Sequence, residues 1–386
     1  MNYRRLWMPR LWVVIGLVVL LLLSTGATQG SLSVQASPAS SSCTWKLVSS
    51  PNPGTSSNFL AGVAAATPQD VWAVGNSQSN GIVQTLTEQW HANKWSVVSS
   101  PNPSTEAQLN GVASIPGTHQ FWAVGEYFST YWHTLIIKWN GSKWVLVSSP
   151  NVGQDFNFLD GVAAISANDV WAVGNSYDGT TTSTLTEHWN GKKWSIVPSA
   201  NTGSFSNLVA VAAVSSTDVW AVGETTSGTL TEHWKGASWS VVSSPTPGTG
   251  GTLTAITRVP STHQLWAVGY YFPTSGGQST LTEYWNGTSW SVISSPNPGT
   301  GFNVLQGVTA TAANDVWAVG DYSPGEVPII ALVEHWNGTS WSVVSVPSPD
   351  ADDSLFGVTH IPHPYKLWAV GMASHQINDT LTEVCQ

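Results

Sequence analysis

The sequence predicts an all-β protein, a seven-bladed β-propeller of four-stranded antiparallel blades, and three observations predict it. The tetrapeptide Trp-Ala-Val-Gly occurs seven times at a period of about 49 residues, as in repeat architectures. Each period contains four short hydrophobic runs separated by turn residues. The ordered chain begins with a fourth run and ends with a third, so its two ends complete one repeat. Four strands repeated seven times fit a propeller. The seven tetrapeptides begin at Trp72, Trp122, Trp171, Trp220, Trp266, Trp317 and Trp368.

The first run of each repeat reads Leu-x-Gly/Ala-Val/Ile. Small residues here suit a strand that is crowded by its equivalents around a central axis. The leading residues are Leu60, Leu109, Leu159, Leu208, Leu253, Leu305 and Leu355.

The other three runs also have a constant pattern. The second carries Val-Trp-Ala-Val-Gly, the third Thr-Leu-Thr-Glu-His-Trp, and the fourth Trp-Ser-Val-Val-Ser-Ser-Pro. Between the third and the fourth, Asn-Gly pairs predict two-residue hairpin turns, because both residues tolerate a positive φ. These pairs begin at Asn140, Asn190, Asn286 and Asn337.

The two cysteines, Cys43 and Cys385, stand at the ends of the repeat region. Cys43 belongs to a fourth run with no unit before it, and Cys385 takes the tryptophan position of the last third run. We expect the two residues to face each other where a turn would otherwise lie, with Cα atoms roughly 4.5 to 5.5 Å apart. A disulfide that closes the ring is therefore predicted, and two unpaired thiols are the alternative.

The N-terminal residues have the layout of a secretory signal. Three arginines precede an apolar run of about 20 Å as a helix, too short for a hydrocarbon core of about 30 Å. We predict a signal peptide at residues 1–27, with an uncleaved anchor as the alternative. A Ser-rich linker at 28–42 and the propeller at 43–386 follow. The protein is thus expected to be secreted or held at the cell surface.

Charge narrows the range of partners. From residue 43 onward, 22 acidic residues face nine basic ones, because three of the twelve Lys and Arg residues lie in the signal. Such a surface repels phosphates, so nucleic acid is not expected as a partner. Membrane contact is expected only through an uncleaved anchor. We expect a monomer with no metal and no cofactor.

The repeat unit resembles the kelch repeat. A glycine-ended hydrophobic strand is followed by Glu-His-Trp-Asn-Gly-x-x-Trp-Ser-Val-Val, and the resemblance covers residues 43–386. The sequence departs from kelch blades where Asn76 or Asn175 follows a single glycine. The resemblance implies a fold like the central domain of galactose oxidase. Since that enzyme needs a copper site with a cysteine crosslinked to tyrosine, and both cysteines here are assigned to the disulfide, oxidase chemistry is not expected.

Most recurrent residues have a predicted structural role. Twenty of the 23 tryptophans fill repeat positions and are expected to pack between blades. The recurrent glutamates are expected to hydrogen-bond to a neighbouring blade. His119 and His263 are predicted to form turns, and His188, His233 and His335 lie in different blades. The recurrent glutamates are Glu88, Glu187, Glu232, Glu283, Glu334 and Glu383.

The irregular connections between second and third runs hold the candidate binding residues. They carry aromatic residues that repeat packing does not require, beside acids and amides, and this combination suits a glycan or a polar peptide. Aromatics that only pack on one another are the alternative. The predicted binding residues are Tyr127, Tyr131, Trp132, His133, Tyr177, Asp178, Tyr270, Tyr271, Phe272 and Tyr322, with Phe128 beside them.

Three functions remain open from the sequence. The leading hypothesis is a non-enzymatic binding module that presents this loop face to a glycan or an extracellular protein. The second is a polysaccharide hydrolase or lyase in which Glu126, Glu224 and Asp321 converge as acid and base. The third is a scaffold of an extracellular assembly.

Overall fold

The computed structural model describes residues 43–386 except 153, 326, 350, 351, 362–364, 375 and 376. Within these residues the chain forms 28 β-strands and no helix, so the predicted all-β class is confirmed. The predicted signal peptide and linker lie outside the described residues, and so does Glu326.

The strands fall into successive four-stranded units, numbered 1 to 7 here. The first strands are β2 (Ser57–Thr67), β6 (Ala107–Ser114), β10 (Phe156–Ser166), β14 (Ser206–Ser215), β18 (Gly251–Arg258), β22 (Phe302–Ala312) and β26 (Asp352–Ile361). The second strands are β3 (Asp70–Ser79), β7 (Phe121–Phe128), β11 (Asp169–Tyr177), β15 (Asp218–Thr225), β19 (Leu265–Tyr271), β23 (Asp315–Ser323) and β27 (Lys366–Ser374). The third strands are β4 (Ile82–His91), β8 (Trp132–Trp139), β12 (Thr182–Trp189), β16 (Gly228–Trp234), β20 (Ser279–Trp285), β24 (Ile330–Trp336) and β28 (Asn378–Cys385). The fourth strands are β5 (Lys94–Val97), β9 (Trp144–Val147), β13 (Trp194–Ile196), β17 (Trp239–Val241), β21 (Trp290–Val292) and β25 (Trp341–Val343), with β1 (Trp45–Leu47) in unit 7.

Neighbouring strands within each unit are antiparallel, in the order first, second, third, fourth. Unit 7 takes its fourth strand from the start of the chain, because β1 pairs with β28, with Trp45 opposite Cys385 and Leu47 opposite Glu383. We call the ends at which first strands begin and second strands finish the upper face. The lower face holds the first-to-second and third-to-fourth turns.

The glycine of each Trp-Ala-Val-Gly lies where no side chain fits. A β-carbon at Gly223 would lie 2.0 Å from the backbone oxygen of Asn207 in the adjacent first strand. That first strand is irregular in register just after this point, between Leu208 and Ala210. The same close approach, 1.9 to 2.1 Å, recurs at the equivalent glycines, so tight contact between first and second strands accounts for the repeated residue. The others are Gly75, Gly125, Gly174, Gly269, Gly320 and Gly371.

Gly223→Ala should therefore lower the free energy of unfolding by about 2 kcal/mol or more, because backbone cannot move aside as a flexible side chain can. Urea unfolding followed by tryptophan fluorescence measures it. Gly325→Ala is the matched control, since a β-carbon there has nothing within 4 Å. Equal stability of the two variants would contradict this explanation.

Tryptophans join each unit to the next. Trp72 of unit 1 packs against Trp139 and Trp144 of unit 2, with ring centroids 4.5 and 5.0 Å apart. This confirms the predicted packing role, and each such aromatic pair adds about 0.5 to 1.5 kcal/mol beyond its area. The same contact recurs for Trp122 with Trp189 and Trp194, Trp171 with Trp234 and Trp239, Trp220 with Trp285 and Trp290, Trp266 with Trp336 and Trp341, and Trp368 with Trp90 and Trp95.

A disulfide takes the place of one tryptophan between units 6 and 7. There Trp317 contacts one tryptophan of unit 7, Trp45, at 6.1 Å, and Cys385 stands where a second tryptophan would be. Cys385 is bonded to Cys43, with Cα atoms 5.4 Å apart, which confirms the predicted pair. The two residues are not directly opposite, because Trp45 occupies that register position and Cys43 lies two residues before it.

The predicted two-residue Asn-Gly turns are wrong. Trp139 pairs with Trp144, so four residues connect the strands. Only the glycine has a positive φ, +99° at Gly141. The Asn140 side-chain oxygen accepts backbone N–H groups of Ser142 and Lys143, each at 3.0 Å. Asparagine is therefore needed as a side-chain acceptor and not for its tolerance of a positive φ.

Aspartates on the lower face tie certain units together. Asp218 accepts hydrogen bonds from Trp220 (3.0 Å), contacts His233 (2.8 Å) in its own unit, and contacts His263 (2.9 Å) in the next. These partners hold the Asp218 pKa below its usual value against the opposing effect of burial. Asp70 likewise bonds His119 of the following unit at 2.8 Å. His119 and His263 were predicted only as turn residues, and their role extends to this contact between units.

The units that receive these contacts lack the aspartate themselves. At its position units 2, 5 and 7 carry Gln120, Gln264 and Lys366. In each of these units the residue before this position carries the ring that contacts the aspartate of the preceding unit. In unit 7 this residue is Tyr365, whose hydroxyl donates to Asp315 at 2.9 Å. The sequence thus encodes complementary pairs of units at this face.

The recurrent glutamates of the third strands are fully buried, at 0% exposure. Glu232 accepts the backbone N–H of Ala200 from the preceding unit, at 3.3 Å, as predicted. Neither carboxyl oxygen of Glu88, Glu187 or Glu283 has a hydrogen-bond partner in the described part of the chain, so the predicted bond is not general. Burial raises the pKa of Glu88 and of Glu283 to about 8.

Candidate ligand-binding surface on the upper face

The predicted loops between second and third strands are shorter than the sequence suggested. In unit 2, strand β7 runs to Phe128 and β8 begins at Trp132, so only three residues are outside the strands. Two contacts extend the strands, because the N–H of Phe128 donates to the Glu106 oxygen (2.8 Å) and that of Trp132 donates to the Asp155 oxygen (3.2 Å). The aromatic residues here are therefore held by regular backbone and not by a free loop.

Five rings from units 2 and 3 are in contact on the upper face, and we call them the aromatic surface. The contacts run from Phe128 to Trp132 (5.5 Å), then to Phe158 (5.7 Å), Phe156 (4.8 Å) and Tyr177 (5.0 Å). A separate group places His133 against both Tyr127 and Tyr131, on the other side of the unit 2 sheet, because adjacent strand residues alternate in side. The aromatic surface comprises Phe128, Trp132, Phe156, Phe158 and Tyr177.

The first strand of unit 3 positions the centre of this surface. Phe156 pairs in parallel with Trp132, and the Asn157 amide donates to the Trp132 oxygen at 3.2 Å. Phe158 is almost fully buried beneath, whereas Phe128 is 39% exposed and the other rings are partly exposed. The surface therefore rests on a packed base and offers ring faces and edges to a ligand without needing to order them first.

His133, in the separate group with Tyr127 and Tyr131, is uncharged at neutral pH. Partial burial lowers its pKa from the usual value, and its Nε2 lies 3.1 Å from the Ser129 hydroxyl. The ring thus acts with Tyr127 and Tyr131 as an aromatic contact and adds no positive charge.

Asp178, Tyr270 and Phe272 are predicted binding residues outside the aromatic surface. Asp178 is exposed next to Tyr177, and its carboxylate accepts the N–H groups of Thr180 and Thr181, each at 2.9 Å. Tyr270 is buried and contacts Phe272 at 5.7 Å in unit 5.

Three predicted binding residues at one strand position, Tyr127, Tyr271 and Tyr322, pack against interior clusters. All three belong to second strands and not to loops. The structure thus brings two of the ten predicted binding residues, Trp132 and Tyr177, into the aromatic surface, with Asp178 adjoining them.

The acidic residues proposed for catalysis each have separate partners. Glu126 receives the side-chain amides of Gln108 (2.5 Å) and Asn110 (2.6 Å) in its own unit. Glu224 receives the hydroxyl of Thr252 from the next unit, at 2.6 Å.

Asp321 differs from the other two acids in its burial. It is enclosed between units 6 and 7, and burial raises its pKa to about 6, with a smaller opposing effect of the Ser354 hydroxyl. The amide of Asn175, at the equivalent position of unit 3, donates to the Asn207 oxygen at 2.6 Å. These two positions therefore connect neighbouring units.

The first strands of all seven units line a cavity of about 190 Å³. It is bounded largely by small residues such as Gly62, Gly161 and Ala210, with polar contributions from Asp160 and Gln306. The volume is below the range of about 300 to 1,000 Å³ that is typical of small-molecule sites. The aromatic surface, and not this cavity, is therefore the candidate ligand site.

Other site classes find no support in the described ranges. There, no three His, Cys, Asp or Glu residues are grouped so that they could hold a metal ion. Nor do those ranges contain a helix of the length and apolarity that crossing a membrane requires.

Comparison with solved structures identifies the fold. RRP9 WD40 repeats match at a TM-score of 0.56 and 11% identity, over 90% of this chain and 98% of that one. YCF48 from Cyanidioschyzon merolae matches at 0.54 and 15%, over 88% and 98%. YCF48 bound to D1 peptide matches at 0.53 and 14%, over 88% and 94%. The chain is a β-propeller.

No family model and no curated protein matches the sequence. At 11 to 15% identity the propeller neighbours show the fold alone, and kelch-like membership stays a prediction. The sequence pattern did not predict a role for Phe156 and Phe158, which precede Leu159, the leading residue of the first run of unit 3. The sequence did contain a sign of their role, because two phenylalanines stand just before Leu159 where the equivalent residues of unit 2 are Glu106 and Gln108.

Proposed function

We propose that this propeller is a non-catalytic binding module whose aromatic surface contacts a glycan or a protein. The observation that carries the proposal is the connected series of five rings, which belongs to units 2 and 3 and goes beyond the repeated tryptophan contacts. Large, rigid side chains supply contact area at little loss of conformational entropy. One propeller of similar fold, YCF48, is described bound to D1 peptide, which supports a peptide ligand for such a fold.

The proposal includes a complete ring of seven kelch-like blades. It is supported by the pairing of β1 with β28, by the contact of Trp368 with Trp90 across units 7 and 1, and by the cavity that seven first strands share. We further propose that residues 1–27 direct export, with a monomeric propeller outside the cell. The Cys43–Cys385 disulfide suits an oxidising compartment.

Trp132→Ala should weaken binding more than about tenfold, because central aromatic residues of interfaces commonly contribute 2 kcal/mol or more. A screen of the purified full chain on glycan and peptide arrays would find a ligand, and titration calorimetry would compare variants. Phe272→Ala is the control, since it removes a partly exposed ring from the same face in unit 5. Equal affinity of wild type and Trp132→Ala would remove the aromatic surface from consideration.

The enzymatic alternative is less well supported. Glu126 and Glu224 each have a hydrogen-bond partner, and Asp321 is buried. These acids therefore serve contacts within and between units. Sugar release from a bound polysaccharide, lost in Glu224→Gln, would favour the hydrolase or lyase.

A specific observation favours the scaffold alternative as a second candidate. Two residues after the first tryptophan of every fourth strand, an aliphatic side chain is exposed. Such a belt of apolar residues on edge strands could contact neighbouring proteins. A stable co-purifying partner would support this function. The belt comprises Leu47, Val97, Leu146, Ile196, Val241, Val292 and Val343.

A further inference from the structure

The charges of the propeller are separated between its two faces. All nine Lys and Arg residues after residue 42 lie in the lower halves of the units, near the ends of first and third strands or the starts of second and fourth strands. Within the described residues, the upper half contains neither residue type. The basic residues are Lys46, Lys94, Lys138, Lys143, Lys192, Lys193, Lys235, Arg258 and Lys366.

Among the described residues, the acids other than the buried glutamates and the lower-face aspartates lie in the upper half. Many of them lie in units 2 and 3, where the aromatic surface is. An excess of one charge on one face produces a potential that attracts ligands of opposite charge and repels those of like charge. The described members are Glu106, Glu126, Asp155, Asp160, Asp178, Glu224, Asp321, Asp352, Asp353 and Asp379.

Three exposed acids border the aromatic surface directly. Glu106 is joined to Phe128, and Asp155 to Trp132, by the backbone hydrogen bonds described above. Asp178 follows Tyr177 in sequence, and two backbone N–H groups lower its pKa, so it is ionised at neutral pH. A side chain added at Gly179 would lie 3.4 Å from the Asp155 carboxylate, which places that group beside the turn after Asp178.

Rings and carboxylates in this arrangement suit a cation. The guanidinium of Arg or the ammonium of Lys is attracted to the face of a Trp or Tyr ring, by about 0.5 to 2 kcal/mol. Its apolar stem can cover the ring while the charged end reaches a carboxylate. Trp132 and Tyr177 offer rings, and Asp155 and Asp178 offer carboxylates. A neutral glycan would use the rings but not the charges, and anionic polymers or lipid surfaces would be repelled.

We propose that the aromatic surface binds a segment of a partner polypeptide that carries Lys or Arg side chains. The occupant follows from charge complementarity, since the acidic upper face has no cation of its own in the described chain to neutralise it. This inference rests on the proposed binding function and names its ligand class.

The test uses the full chain and labelled Gly/Ser peptides that carry Lys, Arg, Glu or Gln at the same alternate positions. Fluorescence anisotropy should show Lys and Arg peptides binding about tenfold or more tightly than Gln peptides, with no binding of Glu peptides. Affinity for the Lys peptide should fall as salt rises, because exposed charges are screened. Asp155→Asn combined with Asp178→Asn should reduce it about tenfold, since asparagine keeps the turn acceptor but loses the charge.

Asp379→Asn is the matched control, because it removes one charge from the same face in unit 7 and should change affinity less than twofold. Equal binding of the Lys, Gln and Glu peptides would overturn the inference. So would loss of affinity in Asp379→Asn equal to that in the double variant, or binding of spermidine as tight as that of the Lys peptide. If no peptide binds while a glycan does so through Trp132, the inference fails and the proposed binding function stands.

Discussion

Raising the pH from 4.5 to 8.5 should destabilise the propeller, and replacing Glu88 by Gln should remove part of that loss. The folded-state pKa is raised to about 8 for Glu88, Glu283 and Glu334, and equally for Glu232 and Glu383. The unfolded value is about 4.5, so between these limits the folded chain binds more protons than the unfolded chain. Stability therefore falls as pH rises from about 4.5, and it stops falling above about 8.

Glu88→Gln should raise the free energy of unfolding at pH 8.5 by about 2 kcal/mol or more and change it little at pH 4.5, where Glu88 is protonated in the folded state and half protonated in the unfolded state. Other titratable groups change the stability in the opposite direction as the pH rises. Burial lowers the pKa of His133, His233 and His360, so these residues reduce stability as the pH falls below about 6.5.

Asp315 also opposes the glutamates, because its pKa is lowered to about 2 and its contribution disappears only in strong acid. The free energies of unfolding of Glu88→Gln and wild type are compared in urea. Their difference separates the contribution of Glu88 from those of the histidines and Asp315. Glu106→Gln, at an exposed glutamate, is the control. An equal gain at both pH values would show that Glu88 is not protonated by burial.

Removing the disulfide should lower the free energy of unfolding by about 2 to 5 kcal/mol. Cys43 and Cys385 are separated by 342 residues, and closing so long a loop restricts the unfolded chain strongly. On the chain-entropy model the effect is about 5 kcal/mol, and measured effects are often smaller.

The measurement is thermal unfolding of wild type and of the Cys43→Ser, Cys385→Ser double variant, each with and without reductant. Reductant should lower the melting temperature of wild type only, and it should leave ligand affinity unchanged below that temperature, because the cysteines lie on the lower face. An unchanged melting temperature in the double variant would contradict a stabilising role.

The sequence predicted the strands and the disulfide because both depend on a simple period. Seven copies of one pattern indicate where each strand lies, and Cys385 in a tryptophan position indicates where its strand meets the strand after Cys43. It predicted the tryptophan contacts between units but not the aspartate contacts on the lower face. Asp218 and His263 are 45 residues apart, and their pairing depends on the next unit lacking the aspartate, a difference between repeats and not a repeated feature.

The candidate site was predicted only in part for a related reason. Aromatic residues after each glycine were assigned to loops, but backbone bonds to the preceding connection extend the strands. Strand alternation then turns Tyr127, Tyr271 and Tyr322 toward interior clusters, whereas Trp132 lies on the other side of its sheet, against Phe158. The side of the sheet on which such a side chain lies depends on the register of these extra strand residues. The repeat spacing does not predict that register.

The pairing of β1 with β28 gives the molecule a direction. Both Cys43 and the C-terminal Gln386 lie at the lower ends of their strands, and the aromatic surface lies at the opposite ends. A tether attached before Cys43 or after Gln386 would hold the propeller by its lysine-bearing side and leave the acidic, ring-bearing side directed outward. Because the N–H of Thr44 donates to the oxygen of Gln386, a short linker from Gln386 to Cys43, with a new chain start in any lower turn, should preserve that orientation.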